Sequence, residues 1–146
     1  MISAEYSIAI ARPVDEVFAF VADILANEAK WHTDVVEVIR PVSGETIELG
    51  SSIVWVIDFM GRSEYTAEVT AFEPNRRIEI TGREGPMKPT LNQRFESVDG
   101  TTRYTRQLDM PTEGIFRIME PLFRVTGVAR KRQVRFAQNL KNLLEN

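Results

Sequence analysis

The apolar residues of this chain settle into two different periods on either side of Pro111. Before it, short runs alternate apolar and polar, the two-residue repeat of half-buried strands. After it, Phe116, Met119, Leu122, Val125, Ala129, Phe136, Leu140 and Leu143 recur at steps of three, four or seven, the repeat of a helix with one apolar stripe. Strand after strand followed by one long helix leaves few ways to form a core. The strands build a largely meandering antiparallel sheet, and the helix covers one face of it.

The first strand runs from Ile2 to about Ala11, with Tyr6, Ile8 and Ile10 alternating against Ser7 and Ala9. Pro13 then opens a helix. Asp15 and Glu16 suit its positive end, and Val14, Val17, Phe18 and Val21 have helical spacing. Asn27 is positioned to cap a second short helix through Trp31, and Val35, Val36, Val38 and Ile39 resume an extended pattern. Two short helices therefore separate strands one and two.

Five further strands follow, and their turns set the register. Asp99-Gly100 is the strongest hairpin signal, because both residues tolerate positive φ. Counting back from it pairs Phe95 with Tyr104, Gln93 with Arg106, Leu91 with Leu108 and, on the opposite face, Glu96 with Arg103. A two-residue turn at Pro74-Asn75 pairs Val69 with Ile80 and Ala71 with Ile78. At Gly61-Arg62 an even loop turns Val54, Val56 and Asp58 inward, whereas a three-residue loop turns Ile53, Trp55, Ile57 and Phe59 inward. The second buries more apolar surface and is preferred, with Asp58 outward. Residues 121–145 form the long helix, about 37 Å at 1.5 Å per residue, with Pro121 in its opening turn and residues 112–119 a separate short segment.

The expected fold is α+β, a six- to seven-stranded antiparallel sheet wrapped around the long C-terminal helix, in one domain spanning residues 1–146. A helix in the concavity of a twisted sheet reaches its centre better than its flanks, which leaves room for a cavity.

Composition narrows the function. A net charge of −3 offers no general attraction to nucleic acid. Without cysteine there is no disulfide, thiolate metal site or cysteine nucleophile, and a single histidine, His32, cannot build a multi-histidine centre. No metal or organic cofactor is expected. The N-terminus lacks a leader pattern and no run reaches the roughly twenty apolar residues of a membrane span, so the expectation is a cytoplasmic protein without stable membrane insertion.

One set of segments, in this order, resembles the START-like (SRPBCC) superfamily in its polyketide cyclase/dehydrase branch. They are residues 10–18 (Ile-Ala-Arg-Pro-Val-Asp-Glu-Val-Phe), Trp31, Glu48-Leu49-Gly50, Val69 with Glu73-Pro74-Asn75-Arg76-Arg77, Gly100-Thr101-Thr102, Pro121-Leu122 and Leu140-Lys141-Asn142-Leu143-Leu144-Glu145. The resemblance covers nearly the whole chain. It implies the helix-grip fold and a deep hydrophobic cavity, but no single activity, since members include lipid carriers, hormone receptors and cyclases.

The counted register places Gln93 and Arg106 on the apolar face. A guanidinium there needs a carboxylate, carbonyls, water or a ligand oxygen. Arginine's rarity in interiors favours a place near a sheet end where Arg106 meets solvent or an internal acid. The candidate ligand-binding set is Trp31, Trp55, Phe59, Tyr65, Ile80, Gln93, Phe95, Tyr104, Arg106, Met119 and Phe123, with Met119 and Phe123 at the entrance. Aromatics at such spacing also make ordinary core. His32 reads as an exposed helix-end residue, and the basic run Arg130-Lys131-Arg132 with Arg124 and Arg135 as a solvated helix face. The leading function is binding or carriage of a small hydrophobic or aromatic metabolite. The alternatives are a cyclase/dehydrase-type enzyme, in which Arg106 and a tyrosine polarise a carbonyl, and a protein-binding or chaperone-like module. A homodimer is allowed for; a nucleic-acid partner is not expected.

Overall fold

The computed structural model describes residues 1–39, 47–58 and 61–146. The elements are β1 (Ile2–Ile10), α1 (Val14–Ala22), α2 (Ile24–Trp31), β2 (Val35–Ile39), β3 (Ser52–Asp58), β4 (Arg62–Glu73), β5 (Arg77–Glu84), β6 (Thr90–Val98), β7 (Thr101–Met110), α3 (Ile115–Thr126) and α4 (Val128–Glu145). All seven strands join one antiparallel sheet in the order β1-β7-β6-β5-β4-β3-β2. β2 to β7 form a meander, and β1 closes the far edge beside β7. α1 and α2 span the distance between the two edges. This is the helix-grip arrangement, with α4 laid across the sheet through Gln133, Phe136, Ala137 and Leu140.

The β6–β7 hairpin has the counted register, including Phe95 opposite Tyr104 and Gln93 opposite Arg106. In β3–β4, Asp58 stands opposite Arg62, which turns Ile53 and Trp55 inward and leaves Asp58 exposed. The turn at Pro74 differs from expectation. Glu73 pairs with Arg77, so three residues make the turn, with Asn75 at φ 62°. Val69 still faces Ile80, because a bulge before Ala71 absorbs the extra residue; Ala71 pairs with Glu79, and Phe72 with Ile78.

Two helix boundaries also differ. α2 begins at Ile24, so Asn27 lies inside it, and its Nδ2 donates to the Phe20 carbonyl at 3.1 Å instead of capping. The C-terminal helix is broken. Gly127 takes the left-handed conformation at φ 65° and its N–H closes α3 on the Phe123 carbonyl at 2.9 Å. α4 restarts at Val128 and runs for about 27 Å. Pro121 falls within α3, where the carbonyl it leaves unpaired belongs to exposed Arg117. The continuous apolar stripe concealed this break. A left-handed residue costs glycine little and others more, so Gly127 can end a helix without interrupting the hydrophobic pattern.

The core divides into two clusters. The larger gathers Ile10, Val17, Phe18, Trp31, Ile53, Val69, Ile78, Tyr104, Phe136 and Leu140 among others, with Phe18 edge-on to Phe72 and Phe95 at 5.5 and 5.0 Å. The smaller consists of Ile2, Tyr65, Met87, Met110 and Phe123. Leu140 is fully buried and Leu122 is 57% exposed. Leu140→Ala is therefore expected to cost about 2–5 kcal/mol and Leu122→Ala no more than about 0.5 kcal/mol in urea unfolding. A Leu140→Ala midpoint equal to that of the unaltered protein would mean that α4 is not docked as described.

Candidate ligand cavity

Between the two clusters lies a partly open cavity of about 110 Å³. One water needs roughly 10–15 Å³ on such a measure, so the space is much larger than a packing defect. The sheet supplies Trp55 and Ile57 from β3, Tyr65 and Ala67 from β4, Ile80 from β5, Leu91 from β6, and Arg106, Leu108 and Met110 from β7. Alternation along each strand puts these residues on one face. Met87 and Pro89 close one side from the loop after β5, and Arg132, Gln133 and Phe136 of α4 form the opposite wall. Glu28 and His32, one helical turn apart at the end of α2, complete it.

The walls are mainly apolar, and Arg106 is the most deeply buried cation in them. Arg106 is 1% exposed, and no carboxylate among the described residues bonds to it. Its Nε donates to Gln133 Oε1 at 2.9 Å, and its Nη1 donates to Gln93 Oε1 at 3.2 Å and to the Tyr104 hydroxyl at 3.0 Å. The Tyr104 hydroxyl itself donates to Gln93 Oε1. The guanidinium also lies over the rings of Trp31 and Phe136, at 5.0 and 5.7 Å, where the ring faces attract positive charge. Burial, only partly opposed by Arg106, pushes the Tyr104 hydroxyl up to about 12, so it stays a neutral donor. Arg106 Nη2 and Gln133 Nε2 make no hydrogen bond among the described residues. Arg106 is therefore neither at a sheet end nor paired with an internal acid. Three neutral oxygens and two rings hold it, and one edge of the fork remains for something in the cavity.

His32 also departs from expectation. Its side chain is 14% exposed, its Nδ1 is 3.0 Å from Glu28 Oε1, and its ring lies 4.2 Å from that of Phe136. Burial lowers its pKa below 6.5. Glu28 opposes the shift, while Arg106 and Arg132 reinforce it. Burial thus favours the neutral imidazole, and the hydrogen bond to Glu28 fixes its orientation. Beside it, Arg132 pairs with Asp34 at 2.6 Å, so this member of the basic run is built into the cavity wall and is not simply solvated. Burial lowers its pKa against the opposing pull of Asp34.

Of the residues singled out from sequence, Trp55, Tyr65, Ile80 and Arg106 line the cavity. Gln93, Tyr104 and Trp31 stand behind that surface and hold Arg106. Phe95 packs between Phe18 and Tyr104 as core, away from the lining. Phe123 and, partly, Met119 join Tyr65, Met87 and Met110 at the α3 end, and Phe59 lies outside the described residues. Sequence reasoning missed Glu28, Gln133 and Met110, and it preferred an exposed His32 to one at the cavity. Two signals were present: Glu28 and His32 stand at i and i+4, and Gln133 interrupts the apolar series Ala129, Phe136, Leu140 at a core position. The Nε1 atoms of Trp31 and Trp55 are buried donors without an acceptor among the described residues, an arrangement that costs about 1–3 kcal/mol each.

The family model described as polyketide cyclase / dehydrase and lipid transport matches residues 1–145. The chain belongs to this family. Solved structures agree on the fold. A START superfamily protein from Mycobacterium smegmatis is 14% identical with a TM-score of 0.75, covering 98% of this chain and 97% of its own. A protein from Thermus thermophilus is 16% identical with a TM-score of 0.75, covering 97% and 95%. The Aha1 dimer from Colwellia psychrerythraea contains a chain 17% identical with a TM-score of 0.69, covering 99% and 97%. No curated protein matches in sequence. No helix among the described residues is long and apolar enough to cross a membrane.

The His32 environment predicts how this family member responds to acid. With the folded pKa below 6.5, the unfolded chain binds a proton that the folded chain refuses, so stability falls as pH drops below about 6.5. His32→Gln is expected to flatten that part of a melting-temperature profile. An unchanged slope would place the titration elsewhere.

Proposed function

We propose that this chain, acting as one unit over residues 1–146, binds and carries a small hydrophobic or aromatic molecule that ends in an anionic or carbonyl oxygen. The observation that carries this reading is the unbonded Nη2 edge of Arg106, beside Gln133, on a mainly apolar wall. The ligand body would contact Trp55, Tyr65, Ile80, Leu108 and Met110, and its oxygen would meet Arg106 and Gln133. Gln93, Tyr104 and Trp31 act as positioning residues for Arg106, with Met119 and Phe123 at the end covered by α3. Family membership and a partly open, mainly apolar cavity support the reading.

The test compares 2-naphthoate with naphthalene by calorimetry. A hydrogen bond to a charged group contributes about 1.5–3 kcal/mol, so Arg106→Leu should weaken 2-naphthoate about ten- to a hundredfold and leave naphthalene nearly unchanged. Equal binding of 2-naphthoate by both proteins would remove Arg106 from the site.

The Glu28–His32 pair favours a second reading, proton transfer in the same cavity. With Nδ1–H donating to Glu28, His32 Nε2 is a free base. It would take a proton from the carbon next to a carbonyl whose oxygen rests on Arg106. The C–H electron pair moves into the carbonyl, the enolate is held by the guanidinium, and the proton then returns. Acetophenone in D2O should then exchange its methyl protons faster than buffer alone, with the excess lost in His32→Gln. Exchange at the buffer rate leaves carriage as the function.

A further inference from the structure

α3 buries one face and presents a second apolar face outward. Ile115, Ile118, Leu122 and Val125 are 65%, 81%, 57% and 86% exposed, and their steps of three and four set them in one stripe. Phe123, on another side of the helix, packs with Tyr65, Met87 and Met110, three residues that line the cavity.

The stripe lies in a strongly basic part of the chain. Residues 114–140 hold six basic side chains and one acidic, a local charge of +5, whereas the remaining residues carry −8. Arg124 is tied to Glu120, and Arg132 and Arg135 to Asp34. Exposed Arg117, Arg130 and Lys131 have no carboxylate partner among the described residues. On α3 itself Arg117 and Arg124 lie together along one side of the stripe, Arg124 paired with Glu120.

We propose that α3 is a docking surface for an anionic lipid membrane, its apolar stripe seated at the boundary between headgroups and acyl chains and the neighbouring cations Arg117, Arg130 and Lys131 on lipid phosphates. A short amphipathic helix with basic flanks binds such a surface weakly and reversibly, without spanning it. A second copy of the chain fits less well. Two +5 segments would face each other, and four large apolar side chains fall far short of the roughly 20–30 residues a side of a stable interface. Docking would bring the Phe123 end of the cavity to the bilayer, where a carried molecule could be exchanged. That consequence rests on the carrier reading, whereas the surface itself does not.

Cosedimentation with phosphatidylcholine vesicles, with and without phosphatidylglycerol, tests the proposal. The full chain should bind the anionic vesicles alone, and less at about 1 M than at 0.1 M salt, where the screening length falls from about 10 to 3 Å. Ile118→Ser with Val125→Ser, and separately Arg117→Glu with Lys131→Glu, should each weaken binding at least about tenfold. Because all four side chains are exposed, melting temperature and 2-naphthoate binding should be unchanged, which separates this surface from the cavity. No binding to anionic vesicles, equal binding to neutral ones, or undiminished binding by the variants overturns it. So does a dimer of the unaltered chain that the serine variant dissociates, since a second copy would then cover α3.

Discussion

The structure turns on a cation that the fold has withdrawn from water. An unpaired buried guanidinium costs several kcal/mol, so Arg106 is tolerable only because its surroundings replace hydration piece by piece. Gln133 holds Nε, Gln93 and Tyr104 hold Nη1, and Trp31 and Phe136 supply ring faces. These partners come from α2, β6, β7 and α4, so the same contacts bind the C-terminal helix to the sheet. None of the bonded partners is a carboxylate, and the positive charge therefore stays available to the cavity.

The cavity follows from how few elements cover a large sheet. α4 lies over β1 and β7, and α2 reaches α4 from the other side. Between the larger core and the small cluster under α3, the side chains stop short of filling the space. The break at Gly127 divides the work: α4 crosses the sheet, while Phe123 of α3 packs onto Tyr65 and Met110. Apolar walls then raise the worth of each polar group they enclose, as the raised Tyr104 and lowered His32 pKa values show.

Much of this was legible in the residues. The Asp99-Gly100 turn sets the β6–β7 register, and with it the inward face of Gln93 and Arg106, because a hairpin of known loop length leaves no freedom. Burial economy decides the face of β3 for the same reason. The β4–β5 bulge was not legible, since an extra residue leaves no mark on an alternating pattern until the turn length is known. The helix boundaries at Ile24 and Gly127 are obscured in a similar way, because periodicity shows that a helix exists more clearly than where it stops. Within the site, long-range pairing is what the sequence hides. Solvent or an acid is the natural partner for Arg106 from local residues alone, whereas its actual partners include Gln133, from a segment 27 residues away. His32 looks exposed until the sheet and α4 enclose it.

The central claim is that the space between sheet and α4 receives a ligand with its polar end toward Arg106. Intermolecular NMR contacts, measured on methyl-labelled protein saturated with an aromatic carboxylate that binds it, address this most directly. The account predicts contacts from the ligand ring to the methyl groups of Ile80, Leu108 and Met110, with a shift of the Arg106 Nε–H signal. Contacts confined to exposed Ile118 and Val125, with Arg106 unmoved, would contradict it.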